Sequence, residues 1–304
     1  MATDERAIPG LDDIEAVLAL AAAATATDGV GPLSEQTLLA LRNPADYPDV
    51  VHLFARESDG VVGYAQVAKD AGNASGEVVV HPAFRGKGLG RRLVESALAA
   101  ARDAGVPLAI WAHGEHPAAL ALARSLGLVR SRVLFKMCRP LERPLPPVRL
   151  PDDVRLRPFV VGADDAAWLR VNARAFATHP EQGKWTRHDL ELRQREPWFD
   201  PAGFLLAVPA DEPTTLLGFH WTKRELTADG APGPEGEVYV VGVDPDAQGL
   251  RLGTALTLAG LDHLKNTGAT EAALYVDESN ARAVRMYAGL GFEVCETHVM
   301  YGTG

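Results

Sequence analysis

The sequence predicts two copies of one α/β unit of the α+β type, each built as a mixed, mostly antiparallel sheet flanked by helices. Three observations carry the prediction. The run Val80-His81-Pro82-Ala83-Phe84-Arg85-Gly86-Lys87-Gly88-Leu89-Gly90 is rewritten as Val243-Asp244-Pro245-Asp246-Ala247-Gln248-Gly249-Leu250-Arg251-Leu252-Gly253, with proline and last glycine both displaced by 163 positions. In each copy a β-rich run enters a Gly-containing turn, and the turn opens an amphipathic helix. Between the copies lies Arg139-Pro140-Leu141-Glu142-Arg143-Pro144-Leu145-Pro146-Pro147, too rich in proline for a helix or a central strand. The expected layout is therefore a first domain at 1–139, a stiff linker at 140–153 and a second domain at 154–304.

Each copy has the same order of elements. Residues 14–25 and 166–176 predict the first helix of each, and 34–41 and 187–195 the second. Two β-rich runs follow, 50–56 with 61–67 and 203–208 with 215–221. Next come the strand before the turn, the helix after it, a strand at 108–112 or 272–276, a short helix and a final strand. The helix after the turn is the best marked. Leu89, Leu93, Ala97 and Ala101 share a face and Gly105 stands at the C-terminal position, as Leu252, Leu256, Ala259 and Gly268 do in the second copy. Further on, Arg124-Ser125-Leu126-Gly127-Leu128 matches Ala288-Gly289-Leu290-Gly291-Phe292 at an offset of 164, so one residue has been inserted on the way.

Composition narrows the function. At 304 residues the chain can bury two cores, and 47% apolar with 23% charged residues is the balance of a soluble globular protein. A formal charge of −10 speaks against nucleic acid, whose phosphates need a basic face. The Ala-rich stretch 16–27 follows Asp4, Glu5, Asp12, Asp13 and Glu15, where a secretory signal would be basic. No stretch reaches the roughly 18 apolar residues of a membrane span. A cytoplasmic protein with no membrane partner is expected. Cys138 and Cys295 are the only cysteines and read as buried small hydrophobes, not as a disulfide. His113-Gly114-Glu115-His116 reads as a solvated loop without a metal, because no matching ligand set accompanies it.

The two Gly-rich turns are phosphate cradles by their chemistry. Glycine lets the backbone approach an anion, the helix start presents N–H groups, and Arg85, Lys87, Arg91 and Arg92 add positive charge to an acidic chain. The pattern Gln/Arg-x-x-Gly-x-Gly/Ala after a strand resembles the acetyl-CoA pyrophosphate loop of the GCN5-related N-acetyltransferases (GNAT). The resemblance implies acetyl-CoA as cosubstrate, held in the first copy by Val78, Val79, Val80, Arg85, Gly86, Lys87, Gly88, Leu89, Gly90 and Arg91. In the second copy it implies Val241, Gly242, Val243, Gln248, Gly249, Leu250, Arg251, Leu252, Gly253 and Thr254, with Asn280, Arg282 and Arg285. Arg251 departs from the glycine of the pattern.

The resemblance also implies chemistry. Asn280-Ala281-Arg282-Ala283-Val284-Arg285-Met286-Tyr287 is similar to the family's helix that carries the acid for the leaving thiolate, here Tyr287. Glu237, at the head of the strand before the turn, takes the place of the general base. At the offsets above, the first copy has Ala74, His116 and Ala123 opposite Glu237, Asn280 and Tyr287. It is therefore expected to bind acetyl-CoA at most, with catalysis in the second copy. The runs 172–183, 198–204 and 217–223 resemble tandem members that acetylate the cysteinyl amine of the pseudo-disaccharide Cys-GlcN-Ins. That closer resemblance implies a monomer whose acceptor faces Glu35, Glu181, Lys223, Glu237 and Tyr275. Two alternatives stand beside it: acetylation of another amine, such as an amino-sugar antibiotic or a peptide N-terminus, and a non-catalytic acyl-CoA sensor.

Overall fold

A computed structural model describes residues 3–58, 60–70, 72–177, 182–227 and 229–303. The first half of the chain forms β1 (Thr3–Arg6), α1 (Leu11–Asp28), α2 (Glu35–Arg42), β2 (Val51–Glu57), β3 (Gly60–Asp70), β4 (Asn73–Val80), α3 (Leu89–Asp103), β5 (Leu108–His113), α4 (Pro117–Ser125) and β6 (Leu128–Pro140). The second half forms β7 (Val154–Pro158), α5 (Asp165–Ala175), α6 (Arg187–Gln194), β8 (Phe204–Pro209), β9 (Gly218–Lys223), β10 (Glu235–Val243), α7 (Leu252–Asn266), β11 (Glu271–Asp277), α8 (Ala281–Gly289) and β12 (Glu293–Thr303). Each half opens on a short strand, β1 or β7; the sequence TDER of β1 has no apolar alternation, whereas Val154 and Leu156 alternate with Arg155 and Arg157 in β7.

Contacts divide the chain into two compact units, residues 1–135 with 277–279 and 296–304, and residues 136–276 with 280–295. In the first, strands run in the order β1-β2-β3-β4-β5, antiparallel except for the parallel β4–β5 pair. In the second, β7-β8-β9-β10-β11 repeats that order with β10–β11 parallel. The final strands are exchanged. Residues 298–302 of β12 pair antiparallel with β5 in the first unit, from His298↔His113 to Gly302↔Ala109. The end of β6 belongs to the second unit, where Leu141 donates to the Thr270 carbonyl at 2.8 Å. Residues 296–304, which the sequence reading puts in the second domain, thus complete the first unit. Duplicated strands fit either sheet edge alike, so local pattern does not say which one each will join.

Each unit buries its own core. In the first, Leu89, Leu93, Val94, Ala97 and Ala101 of α3 lie with Ala65, Val67 and Leu108, and Val17, Leu20 and Ala24 of α1 cover Phe54, Tyr64 and Val79 on the opposite face. In the second, Leu252 and Leu256 of α7 pack on Ala207, while Trp168 of α5 heads an aromatic core with Trp198, Trp221, Phe204 and Phe219. Phe204 and Trp221 stack at 4.4 Å between centroids.

The expectation for the cysteines is corrected. Cys138 of β6 and Cys295 of β12 form a disulfide, with Cα atoms 5.8 Å apart. Cys295 is exposed and Cys138 half-buried, because both lie on the unit's surface and not in its apolar interior. Among the described residues no helix is long and apolar enough to cross a membrane.

Candidate active site

Strand β10 contains one more residue than β4, and the site grows out of it. Against β9, the register of β10 jumps between Val238↔Thr222 and Val240↔Trp221, leaving Tyr239 as the bulged residue. Strand β4 pairs with β3 without interruption from Asn73 to Val80. The bulge corrects one equivalence expected from the sequence. Gly236 pairs with Ala272 as Ala74 pairs with Leu108, so the counterpart of Glu237 is Ser75, not Ala74. An offset of 163 holds only above the bulge. Neither residue is a carboxylate, so the contrast between the copies survives the shift.

The bulge also opens the sheet. The β10–β11 ladder ends at Glu237↔Ala273, so Val238 and the residues that follow it on β10 lie beyond it. In the first unit the matching positions, Gly76 and Glu77, still pair with Ile110 and Trp111. A ladder that stops early leaves backbone groups directed into a gap, where an extended ligand can take them up.

Around that gap the second unit gathers ionisable side chains on one face. Glu237 is half-buried and is the direct cross-strand partner of Lys223. Side chains so paired have Cβ atoms about 5 Å apart. The Lys223 side chain is 5% exposed, lies 5.0 Å from the Trp198 ring centroid and 5.4 Å from that of Tyr239, and reaches Glu225 at 2.8 Å. Aromatic faces and a carboxylate together offset the cost of burying an ammonium. Tyr239 is fixed by Arg193, whose Nε donates to its hydroxyl at 2.7 Å. Tyr275 is 45% exposed and sits two residues beyond Ala273 on β11, hence on the same face as Glu237. Glu35 opens α2 after the N-cap Ser34 in the first unit. Glu181 lies outside the described residues.

The two turns share one backbone despite the change at Arg251. Gly86 and Gly249 have φ of 74° and 92°, and Gly88 and Arg251 have φ of 83° and 57°. Arg251 thus takes the left-handed conformation that glycine takes in the first copy, at a cost of about 1–2 kcal/mol. Each turn ends as the N-cap of its helix, α3 or α7. The first N–H groups of a helix have no partner inside it, so those of Leu252, Gly253 and Thr254 face out of the helix start, as Leu89 and Gly90 do in the first unit. Gln248, Gly249, Leu250 and Arg251 are exposed, as are Gly86, Lys87, Gly88 and Arg91. Arg85 is turned aside: its two terminal nitrogens each donate to Asp28 at 2.7 Å and its Nε to the Val80 carbonyl at 3.1 Å.

Helix α8 supplies the remaining groups. Asn280 is its N-cap, accepting from the Ala283 N–H at 3.1 Å, and Arg282 and Arg285 are exposed. Tyr287 is 7% exposed, with its ring 5.9 Å from that of Phe292. Burial pushes its phenol up to about 12, so it holds its proton throughout the neutral range.

The first unit carries a polar cluster that sequence spacing did not reveal. Glu77, 4% exposed, accepts from the Ser34 N–H at 2.7 Å and lies 3.2 Å from His113 Nε2. His113 Nδ1 is 3.1 Å from Nδ1 of His298. Burial pushes the Glu77 carboxyl up, but the His113 and Ser34 bonds outweigh it and hold the group below the usual carboxylate value. The only signal was an acidic residue directly before the apolar run Val78-Val79-Val80.

Both halves of the chain match one family model, that of the acetyltransferase (GNAT) family, over residues 21–128 and 168–292. The chain belongs to the GNAT family. Within this family, the mycothiol acetyltransferase of Thermobispora bispora is 55% identical over 97% of this chain and 97% of its own. The mycothiol acetyltransferase of Thermomonospora curvata is 53% identical over 98% of both chains. Among solved structures, a tandem GNAT protein from the clavulanic acid biosynthesis pathway superposes with a TM-score of 0.74 over 99% of this chain and 98% of its own, at 19% identity, and so shares the fold. GNAT enzymes use acetyl-CoA, and each turn of this chain sets residues of left-handed backbone at a helix start, where the first N–H groups have no partner inside the helix. Among the described residues no group of three His, Cys, Asp or Glu side chains is arranged to hold a metal ion.

Proposed function

We propose that the chain transfers the acetyl group of acetyl-CoA to the cysteinyl amine of Cys-GlcN-Ins, yielding mycothiol and CoA, and that its second unit does the chemistry. The observation that carries this reading is the 55% identity to a mycothiol acetyltransferase along 97% of both chains. The geometry of β10 agrees with it, because its ladder to β11 stops at Glu237 where the first unit's runs on to Glu77↔Trp111, and the Glu237–Lys223 pair is matched there by Ser75 and Ala68.

Acetyl-CoA supplies an activated acyl group as its thioester. The turn 248–254 would hold the pyrophosphate, and Val241, Gly242 and Val243 line the gap that would take the pantetheine arm. Gly242 is bare because a Cβ there would lie 2.8 Å from the Phe219 ring. Glu237 accepts the proton of the attacking amine, whose ordinary pKa of about 7.7 to 8 asks little of a carboxylate base. As the C–N bond forms and the C–S bond breaks, Tyr287 gives its proton to the departing thiolate. Lys223, fixed between two rings, donates to the oxygens of the acceptor, and Tyr275 offers it an exposed hydroxyl. Backbone N–H groups in the gap stabilise negative charge on the thioester oxygen.

The test is direct. The protein is incubated with acetyl-CoA and, separately, Cys-GlcN-Ins, an amino-sugar antibiotic and a peptide with a free N-terminus, and acetylated products are followed by mass. The account expects Cys-GlcN-Ins to exceed the others in kcat/KM by at least about 10², a difference of roughly 2.7 kcal/mol. Equal use of all three would contradict it.

A further inference from the structure

The C-terminal end of α8 is seated on a buried cation. Arg139 of β6 is 2% exposed. Its Nε donates to the Leu290 carbonyl at 2.8 Å, Nη1 to Pro140 at 3.3 Å, and Nη2 to Arg143 at 3.0 Å and Pro144 at 2.8 Å. Every one of these acceptors is a backbone carbonyl. Burial, and then the charge of Arg143, lower the pKa of Arg139, yet a guanidinium stays charged in any protein. An aliphatic side chain could fill the space without the cost of burying a charge, so the fork of donors is the feature to be explained.

What the fork holds is the corner behind Tyr287. Leu290 is the C-cap of α8, and Gly291, with φ of 87°, turns the chain into β12. The Tyr287 carbonyl accepts from Leu290 N at 3.0 Å and from Phe292 N at 3.1 Å, and the Phe292 ring packs on the Tyr287 ring. The corner is tied a second time next door, since Cys138 precedes Arg139 and is bonded to Cys295. Arg139 reaches Leu290 from β6, Leu290 and Phe292 close on Tyr287, and the ring follows. The positive charge also faces the negative end of the α8 dipole.

We propose that Arg139 is a positioning residue for acetyl transfer, which sets the Tyr287 phenol against the leaving thiolate by clamping the Leu290 carbonyl. The proposal rests on the role given to Tyr287 above. Arg139 itself donates only to backbone, so its effect should fall on the step that needs the acid and not on cosubstrate binding.

The full chain is compared with Arg139→Lys, Arg139→Met and Tyr287→Phe in steady state, with Cys-GlcN-Ins as acceptor. Two donors are used, acetyl-CoA and the acetyl ester of selenocoenzyme A. A selenol is the stronger acid, so its anion departs with less help from a proton donor. Tyr287→Phe should lower kcat about 10²-fold with acetyl-CoA. Arg139→Lys, which keeps the charge but not the fork, should lower it about tenfold, with KM for acetyl-CoA within about twofold. Both variants should recover most of the loss with the selenoester. Arg139→Met should behave as Arg139→Lys does, with a larger loss; if it does not fold, Arg139→Lys decides. A folded Arg139→Lys with unchanged kcat, or with equal losses on both donors, overturns the proposal while Tyr287→Phe stays impaired. An unimpaired Tyr287→Phe removes the acid itself, and the proposal with it.

Discussion

One row of side chains across each sheet marks the difference between the two units. In the first it reads His52, Gln66, Glu77, paired in that order across β2, β3 and β4. In the second the same row reads Phe204, Trp221, Val240 across β8, β9 and β10. All six residues are buried. In the first, His52 Nδ1 meets the Tyr64 hydroxyl at 2.7 Å, Gln66 donates to the Thr37 carbonyl at 3.2 Å, and Glu77 closes on Ser34 and His113. In the second, two aromatic rings and a valine fill the row. The fold tolerates either filling, so the row is not what defines it. The first unit uses its strand carboxylate inside the core and keeps β4 paired to β5 through Glu77. The second fills the core with aromatic rings, bulges at Tyr239, and keeps its carboxylate, Glu237, half-buried two pairings away beside Lys223.

The sharpest way to break the comparison is through stability. Trp221→Ala should cost about 3–5 kcal/mol, because it empties the centre of an aromatic core, whereas Gln66→Ala at the matching position should cost about 1–3 kcal/mol. Urea midpoints of the two variants check this. Equal costs would mean that the two rows are not alternative fillings of one position.

Next in size is a dependence on pH that His52 contributes in the first unit and His220 in the second, both of them buried. Burial lowers His220 to about 4, and it likewise lowers His52 to about 4. Below its ordinary pKa of about 6.5 an unfolded histidine binds a proton that the folded one refuses. Their contribution is therefore complete above pH 6.5 and is lost as pH falls toward 4. For His220 this amounts to about 3 kcal/mol. His220 Nδ1 donates to the Leu256 carbonyl at 2.7 Å, and a Cβ on Gly260 would meet its ring at 2.0 Å. Denaturant midpoints measured from pH 7.5 down to pH 4.5 should fall, and His220→Gln should flatten the slope. A midpoint that rises on acidification would contradict the assignment.

Much of this was legible in the sequence, and the rest was hidden for identifiable reasons. Glycine spacing disclosed the duplication, the cradles and the order of helices and strands, since those features are written in local periodicity. The bulge at Tyr239 was not legible, because an extra residue in a strand leaves the alternation of side chains intact on either side of it. That is why Ala74 was set opposite Glu237 where the sheet sets Ser75. The exchange of β6 and β12, and the disulfide that joins them, are pairings between distant segments that leave no local mark. Glu77 was passed over, and His113 was read as part of a solvated loop where it in fact ends β5 beside Glu77, for the same reason: the two are 36 positions apart until the β4–β5 pairing brings them together.

Two smaller effects concern the second unit alone. Lys223→Met keeps the stem between the rings of Trp198 and Tyr239 but removes the donor, and should lower kcat/KM for the acceptor by about tenfold to thirtyfold with little change in KM for acetyl-CoA. Ala68, which pairs with Ser75 as Lys223 pairs with Glu237, offers no such donor in the first unit. Arg251→Gly should stabilise the protein by about 1 kcal/mol by removing the left-handed strain, and should weaken acetyl-CoA binding by less than tenfold through loss of a cation. Thermal melts and a calorimetric titration read both effects.

The central claim is that the bulged unit alone performs the transfer, and Glu237→Gln in the full chain tests it most directly. With acetyl-CoA and Cys-GlcN-Ins at saturation, kcat should fall at least about 10²-fold. The number of acetyl-CoA molecules bound per chain should not change. Turnover that persists within a few-fold of the parent would mean that another group takes the proton, and the division of labour between the two units would be wrong.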